Sequence, residues 1–405
     1  LVTFIFAMNS LALVSFALLA PAVSLGLGWV TSRVAARFRG LGLFIASGNL
    51  ARRPAASAAV AAAIVTGVGW TLAFSSLVTS LQHSWLGWLD QSFQSDLVVS
   101  AGTASVSLLT YPPVREEIAE DLRAMPGVQE VQAIRSVEGD YLGRPIVLMA
   151  IDPATQGLPL VDGVWTEVAP TFWQGGGIVI SENLAHKTGL RKGEVVTLPT
   201  PSGARPVRIL GTFADFQNGG DLGCVALCRE TFRLWWGDHL VSRMRVWLMP
   251  GADLTTVRRT IEARWGQTHG IHALTFAEAR AGVAELVRSC FSISYAMVLI
   301  AMAVSLAGIV NFLLAAVLDR SAELRTLSAL GVTTRQLIWV LVSEGGLIGT
   351  VGACIGVLAG IAVSRIIVLH SVPMVNGWHF AWRFSPVPAL VLVGAVTLLA
   401  CLAGV

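Results

Sequence analysis

"LDRSAELRTLSALGVTTRQL" occupies residues 318–337, between the apolar runs "SISYAMVLIAMAVSLAGIVNFLLAAV" (292–317) and "IWVLVSEGGLIGTVGACIGVLAGIAV" (338–363). Within it, "AELRTLSAL" (322–330) has helical composition. Leu324, Leu327 and Leu330 recur every third residue, while Arg320, Glu323 and Arg325 lie elsewhere. Gly331 follows as the residue that ends a helix most cheaply in the left-handed conformation. "VTTRQL" then restarts a helix. Thr333 and Gln336 have the capping-box spacing, and Val332 and Leu337 that of a hydrophobic staple. The stretch therefore predicts a defined helix–turn–helix corner. A rigid, charged, apolar-striped helix suits a docking element for a partner; a helix lying on lipid is the other reading.

The flanking runs set the class. The 405 residues are 54% hydrophobic and 13% charged, about half the charged fraction of a soluble domain. A span needs about 20 apolar residues to cross roughly 30 Å of hydrocarbon. Five runs qualify: 1–30, 55–81, 289–318 (apolar from 291), 337–369 and 387–405. The expected fold is a membrane α-helical bundle with a large α+β extracytoplasmic domain. The sequence begins inside one apolar run and stops inside another, so the expectation is a fragment of a longer chain.

Arginine placement orients the spans. The linker 31–54 holds Arg33, Arg37, Arg39, Arg52 and Arg53 and no acid, and the corner 319–336 holds Arg320, Arg325 and Arg335. The loop 370–386 holds only Arg383. By the positive-inside rule the first two face the cytoplasm and the third is external. The region 82–288 is then extracytoplasmic. It reads as strand "SDLVVSAG", helix "PPVREEIAEDLRAMPGV", two strands in 128–152, a strand 178–181, a helix from Glu182 to Gly189, strands at 195–198 and 207–213, and the strand–helix unit "SRMRVWLM"/"DLTTVRRTIEARW".

Little catalytic chemistry is legible. No Gly-Lys dipeptide occurs, so there is no phosphate-binding P-loop, and no G-x-S-x-G or H-E-x-x-H motif is present. The seven histidines are scattered, without metal-ligand spacing, and read as surface residues. No basic run suggests nucleic acid. The expectation is no catalytic residue, no metal and no directly bound cofactor. Cys224 and Cys228 form either a disulfide, in an oxidising compartment, or two free thiols at a strand. Glu344 is the one acid inside a span; it either pairs with an inner-interface arginine such as Arg52 or Arg53, the expected role, or helps move a substrate. Gly352, Gly356 and Gly360 share one helix face, as close helix packing requires or as general glycine enrichment would also give.

"DRSAELRTLSALGVTTRQLIWVLVSEGGLIGTVGACIGVLAG" resembles the signature of FtsX-like, or MacB-type, ABC transporter permeases. The match falls at Glu323, Leu324, Arg325, Ala329, Leu330, Gly331, Thr333, Arg335, Gln336, Glu344, Gly349 and Gly356. The family often has Ile-Gly where this chain has "AELRTL". "NLARRPAASAAVAAAIVTGV" is similar to the basic elbow before the family's first span, and "IVISENLAHKTGLRKGEVVTL" to its external domain. The resemblance covers about residues 48–405. With the extra span 1–30 it is similar to the ten-span, two-module branch, with this chain expected to carry the C-terminal module.

The resemblance implies a multi-pass permease subunit in a bacterial cytoplasmic (inner) membrane. It implies a dimeric cytoplasmic ABC ATP-binding partner that holds the ATP-Mg, a second permease module from the same chain or another copy, lipid contact and room for an extracytoplasmic partner protein. Glu323, Leu324, Arg325, Leu327, Leu330, Gly331, Thr333, Arg335 and Gln336 would form the ATPase-coupling corner. The implied work is mechanotransmission for export or extraction of a lipoprotein, lipid, peptide or amphipathic compound. The rivals are a non-transporting regulator of an external partner such as a cell-wall hydrolase, and a membrane sensor. A sensor needs a cytoplasmic signalling domain, and neither cytoplasmic loop is long enough for one.

Overall fold

The computed structural model describes residues 7–8, 10–12, 14–15, 54–92, 94–102, 112–216, 223–318, 329 and 332–402. The expected first span and basic linker, with Arg52 and Arg53, fall outside these residues save for a few positions near residue 10. So do Glu323, Leu324, Arg325, Leu327, Leu330 and Gly331.

The chain divides into two compact units. One comprises the helical segments up to His83, Cys290–Ser371 and Phe380–Val405; the other is Ser84–Ser289 together with Val372–His379.

In the helical unit lie α1 (Pro54–Ser92), α7 (Phe276–Leu318), α8 (Thr334–Ile366) and α10 (Pro386–Leu402), α1 and α7 continuing past the unit boundary. Among the described residues, three helices are long and apolar enough to cross a membrane, beginning at Val60, Phe276 and Thr334; α10 is a shorter apolar helix. Their core joins Ile64, Val65, Val68 and Leu72 of α1, Ala353 and Ala359 of α8, and Leu392, Val396 and Ala400 of α10. Hydroxyls in α1 are satisfied within the helix: Thr66, Thr71 and Thr79 each donate to the carbonyl four residues earlier. This removes the cost of an unpaired polar group in an apolar setting.

The second unit is built on one nine-stranded sheet ordered β11-β1-β10-β3-β4-β8-β5-β7-β6. Its first four strands are β1 (Leu97–Ala101), β3 (Val128–Tyr141), β10 (Arg243–Leu248) and β11 (Ile271–Thr275), all paired antiparallel. Helices α2 (Glu117–Arg123) and α6 (Leu254–His269) follow the first and third of these in the chain. This is a split βαβ arrangement. Leu97, Val99, Met244 and Val246 pack there with Ile118, Leu122, Ile261 and Trp265. Asp253 caps α6 by accepting from the backbone N–H groups of Thr255 and Thr256.

Between β3 and β10 the chain inserts a second lobe: β4 (Arg144–Ile151), α3 (Trp165–Trp173), β5 (Ile178–Ser181), α4 (Glu182–Thr188), β6 (Val195–Leu198), β7 (Arg205–Phe213), β8 (Gly223–Cys228) and α5 (Arg229–Trp236). Strand alternation splits its core into two faces. Ile146, Leu148, Ile180, Val225 and Leu227 meet Leu184 and Phe232; Met149, Ile151, Val179, Cys224 and Ala226 meet Val168 and Phe172 on the other. A two-strand ribbon pairs β2 (Val114–Arg115) with β9 (Leu240–Val241).

Candidate functional site: the helix corner, the glycine seam and the external loop

Of the corner, the structure describes its second half. Thr333 is extended (φ −68°, ψ 146°) and caps α8 in a capping box with Gln336. The Thr333 backbone N–H donates to Gln336 Oε1 at 3.1 Å, and the Thr333 hydroxyl donates to the same oxygen at 3.0 Å. Arg335 is exposed in the first turn. The cap sets where the apolar helix begins, because it uses the otherwise orphaned N-terminal donors. Glu344 lies inside α8 two turns further on.

The glycines of α8 face two partners. A Cβ on Gly352 would stand 2.9 Å from Ile64 Cγ2, one on Gly356 2.8 Å from Val68 Cβ, and one on Gly360 2.8 Å from Leu72 Cβ and 3.1 Å from the Gly69 carbonyl. Positions rise by four on both helices together, so α1 and α8 run parallel. Gly349 is pressed against Ala400 and Val396 of α10, and Gly346 against Cys401, a register that falls as α8 rises; this pair is antiparallel. The missing side chains let backbones approach closely, and packing contacts rather than hydrophobic transfer hold helices together in lipid.

The helices α1 and α7 are joined by polar rungs. Arg280 binds Asp90 through Nε at 2.5 Å and Nη2 at 3.1 Å, and the Tyr295 hydroxyl donates to Gln82 Oε1 at 2.6 Å. Arg280 holds the Asp90 carboxyl below its ordinary range. The order of the contacts makes this pair antiparallel.

Cys224 and Cys228 are free thiols. Both sit on β8 four residues apart, about 13 Å along an extended strand, where a disulfide needs Cα atoms under about 7 Å. Of the two alternatives the structure has the free thiols at a strand, and the possible disulfide is corrected: the strand itself separates the pair. Burial pushes both thiols up in pKa, Cys224 well above the usual value, with Asp215 adding to the effect. Such thiols are protonated packing groups.

Sequence reasoning missed a buried ionic cluster. Arg229, fully buried on α5, lies 3.3 Å from Glu116 and 3.5 Å from Asp152, and its Nη1 donates to the Leu240 carbonyl at 2.8 Å. Arg233 reaches Glu116 at 3.0 Å, and Arg123 Nη2 donates to Asp152 at 2.6 Å. Burial holds the Asp152 carboxyl above its ordinary value, against the pull of Arg229, Arg123 and Arg233. The cluster ties α2, β4, α5 and β9 together.

Two histidines read as plain surface residues also have specific partners. His186 Nε2 lies 3.1 Å from the Met374 carbonyl, which only accepts, so Nε2 carries the hydrogen. His379 meets Glu182 twice, Nδ1 to Oε1 at 3.4 Å and backbone N–H to Oε2 at 3.4 Å. Nothing in the spacing of residues 182 and 379 signals this.

Residues 57–264 match the MacB-like periplasmic core domain family, and residues 295–405 the C-terminal region of FtsX-like permeases. The chain belongs to the FtsX-like, MacB-type ABC transporter permease family. An uncharacterized ABC transporter permease protein of Mycobacterium tuberculosis is 27% identical over 349 residues, which are 83% of this chain and 39% of that protein. An uncharacterized ABC transporter permease of Methanocaldococcus jannaschii is 23% identical over 236 residues, 56% of this chain and 57% of that one. The chain thus spans well under two thirds of either relative. Among solved structures, the periplasmic region of MacB from Actinobacillus actinomycetemcomitans aligns with 46% of this chain and 91% of its own (14% identity, TM-score 0.33). The extracellular domain of the noncanonic ABC-type transporter YknZ from Gram-positive bacteria aligns with 45% and 99% (18% identity, TM-score 0.31). In this permease the domain match ends at residue 264 and the permease match begins at Tyr295; the end of α6, strand β11 and the first part of α7 lie between them.

Proposed function

We propose that this permease transmits ATP-driven motion of a separate cytoplasmic ABC ATPase dimer across a bacterial inner membrane to its extracytoplasmic domain. The output is export or extraction of a lipoprotein, lipid, peptide or amphipathic compound. The observation that carries the reading is helix continuity. Helices α1 and α7 run unbroken from apolar membrane-length segments into the domain, and the Arg280–Asp90 and Tyr295–Gln82 contacts tie them together. A rigid helix passes displacement along its length at little cost, whereas a loop absorbs it. The parallel α1–α8 seam and the antiparallel α8–α10 and α1–α7 pairs agree with helices that cross a membrane in alternating directions with the corner and the linker 31–54 on the cytoplasmic side.

The corner is the ATPase contact in this reading, through Glu323, Arg325, Leu327, Leu330 and Arg335. Leu324, Gly331, Thr333 and Gln336 shape it, and a second permease module completes the complex. The deciding experiment is co-purification of the full-length protein, with identification of the ATPase and of bound cargo, followed by Glu323→Lys with Arg325→Glu. Loss of ATPase association and of ATPase stimulation in the variant supports the assignment; intact association and stimulation sink it. Recovery of a cell-wall hydrolase in place of a cargo molecule would move the output from transport to regulation.

A further inference from the structure

The external loop between α8 and α10 changes allegiance part-way along. Val372–His379 belongs to the domain unit, while Phe380 onward belongs to the helical unit. A π-helical turn, Ile367–Ser371, widens the end of α8 just before this segment, and a short helix α9 (Val372–Asn376) follows.

The first half is attached to α4 by backbone as well as side chains. Gly377 is left-handed (φ +75°), and a Cβ there would lie 2.7 Å from His186 Cβ and 2.8 Å from Asn183 Cα. Only glycine fits both the dihedral and the gap. On either side of it, His186 holds the Met374 carbonyl and Glu182 holds both the backbone and the ring of His379. Glu182 is itself buried at the start of α4, and its carboxyl lies above its ordinary value through burial, with His379 pulling the other way and Asp162 adding to the rise. Trp378 packs edge-on against Phe216 at 5.7 Å; Phe216 also meets Trp85 (6.1 Å, stacked) and Trp88 (5.9 Å), both on α1. One phenyl ring is thus shared by the loop and by the end of α1.

The second half is attached within the helical unit. The Arg383 backbone N–H donates to buried Ser80 Oγ on α1 at 2.9 Å. The Trp382 indole N–H donates to Ser364 Oγ on α8 at 3.0 Å, under the Arg365 guanidinium.

We propose that residues 372–383 form a transmission strap parallel in function to α1 and α7: displacement of α8 reaches α4 through Gly377 and the Glu182–His379 pair, and meets the displacement of α1 at Phe216. The proposal rests on the mechanotransmission reading above. An unattached loop would need neither a glycine wedged against Asn183 nor a carboxylate buried beneath it.

The test uses the full-length protein with its co-purified ATPase in nanodiscs, read by hydrogen exchange without nucleotide and with ATP plus vanadate. The variants are Gly377→Val, His379→Asp, and the pair swap Glu182→His with His379→Asp. In the wild type, segments 372–379 and 182–188 are protected without nucleotide, and the domain's exchange changes with ATP. Gly377→Val and His379→Asp raise exchange in 372–379 on the order of tenfold and reduce the ATP-induced change severalfold; the pair swap recovers both. If the single variants detach the strap yet the ATP response is undiminished, the strap is a bystander and the proposal fails while the transmission reading stands. If strap exchange in the wild type matches that of a free loop, the proposal fails as well. A wild type whose domain ignores ATP overturns the transmission reading and the strap with it. Should Gly377→Val not fold, His379→Asp and the pair swap carry the same comparison.

Discussion

Arg280 on α7 grips Asp90 on α1 with two contacts, 2.5 and 3.1 Å, where both helices have already entered the extracytoplasmic unit. The pair is half exposed, so its worth lies in alignment more than in stability. Charge reversal Asp90→Arg is expected to raise hydrogen exchange at residues 84–92 and 276–289 severalfold with little change in melting temperature. The swap with Arg280→Asp is expected to restore it. The Asp90 carboxyl is lowered by Arg280, so the rung is intact above the ordinary carboxylate value and is lost only as pH falls through the lowered one. Exchange that rises already in mild acid would contradict the assignment.

Gly356→Leu places four carbons where a Cβ alone comes within 2.8 Å of Val68 and 3.3 Å of the Val65 carbonyl. One of these neighbours is backbone and does not yield by rotamer change. Overpacking of this kind costs about 1–3 kcal/mol. Thermal unfolding in detergent should show the loss, and Gly394→Leu, where open space surrounds the position, should not.

Arg229→Met removes the buried cation between Glu116 and Asp152. Breaking one side of a buried ion cluster costs about 3–5 kcal/mol. Asp152 is raised by burial even with Arg229 present, and the variant raises it further. A raised carboxyl binds its proton more tightly folded than unfolded. The resulting stabilisation is full below the ordinary carboxylate value and is lost as pH rises through the folded one. Arg229→Met should therefore regain part of its stability on acidification, in a window reaching to higher pH than in the wild type. Equal losses at pH 4 and pH 7 would contradict this.

Thr333→Ala removes the cap of α8. Loss of such a cap costs about 1 kcal/mol, and the first turn, residues 334–337, should exchange several times faster while the interior of α8 is unchanged. Thr333→Ser should behave as the wild type.

Much of the domain was legible because its strands and helices carry their own boundaries. Ile178–Ser181 and Val195–Leu198 appear where the alternation and turn residues put them, and Gly189 ends α4 left-handed (φ +75°). The corner's second cap is likewise a local matter of Thr333 and Gln336. Strand β8, "GCVALC", was harder: all six residues are buried, so it has no alternation to read, and its two cysteines drew attention as a pair instead. Composition placed the start of the third span at the apolar run, yet α7 begins earlier, at Phe276, because charged helix and apolar helix share one backbone. The buried Arg229, the Glu182–His379 contact and the seat of Gly377 are products of tertiary approach across long sequence separations. No period or spacing encodes them.

The two attachment points of the external loop also set a mechanical ceiling. His379 is held by Glu182 and Arg383 by Ser80, and four residue steps of fully extended chain reach at most about 14 Å. In the proposed transmission, a stroke that separates those anchors further would tear one of them loose, so the loop's length would act as a travel stop written into the chain.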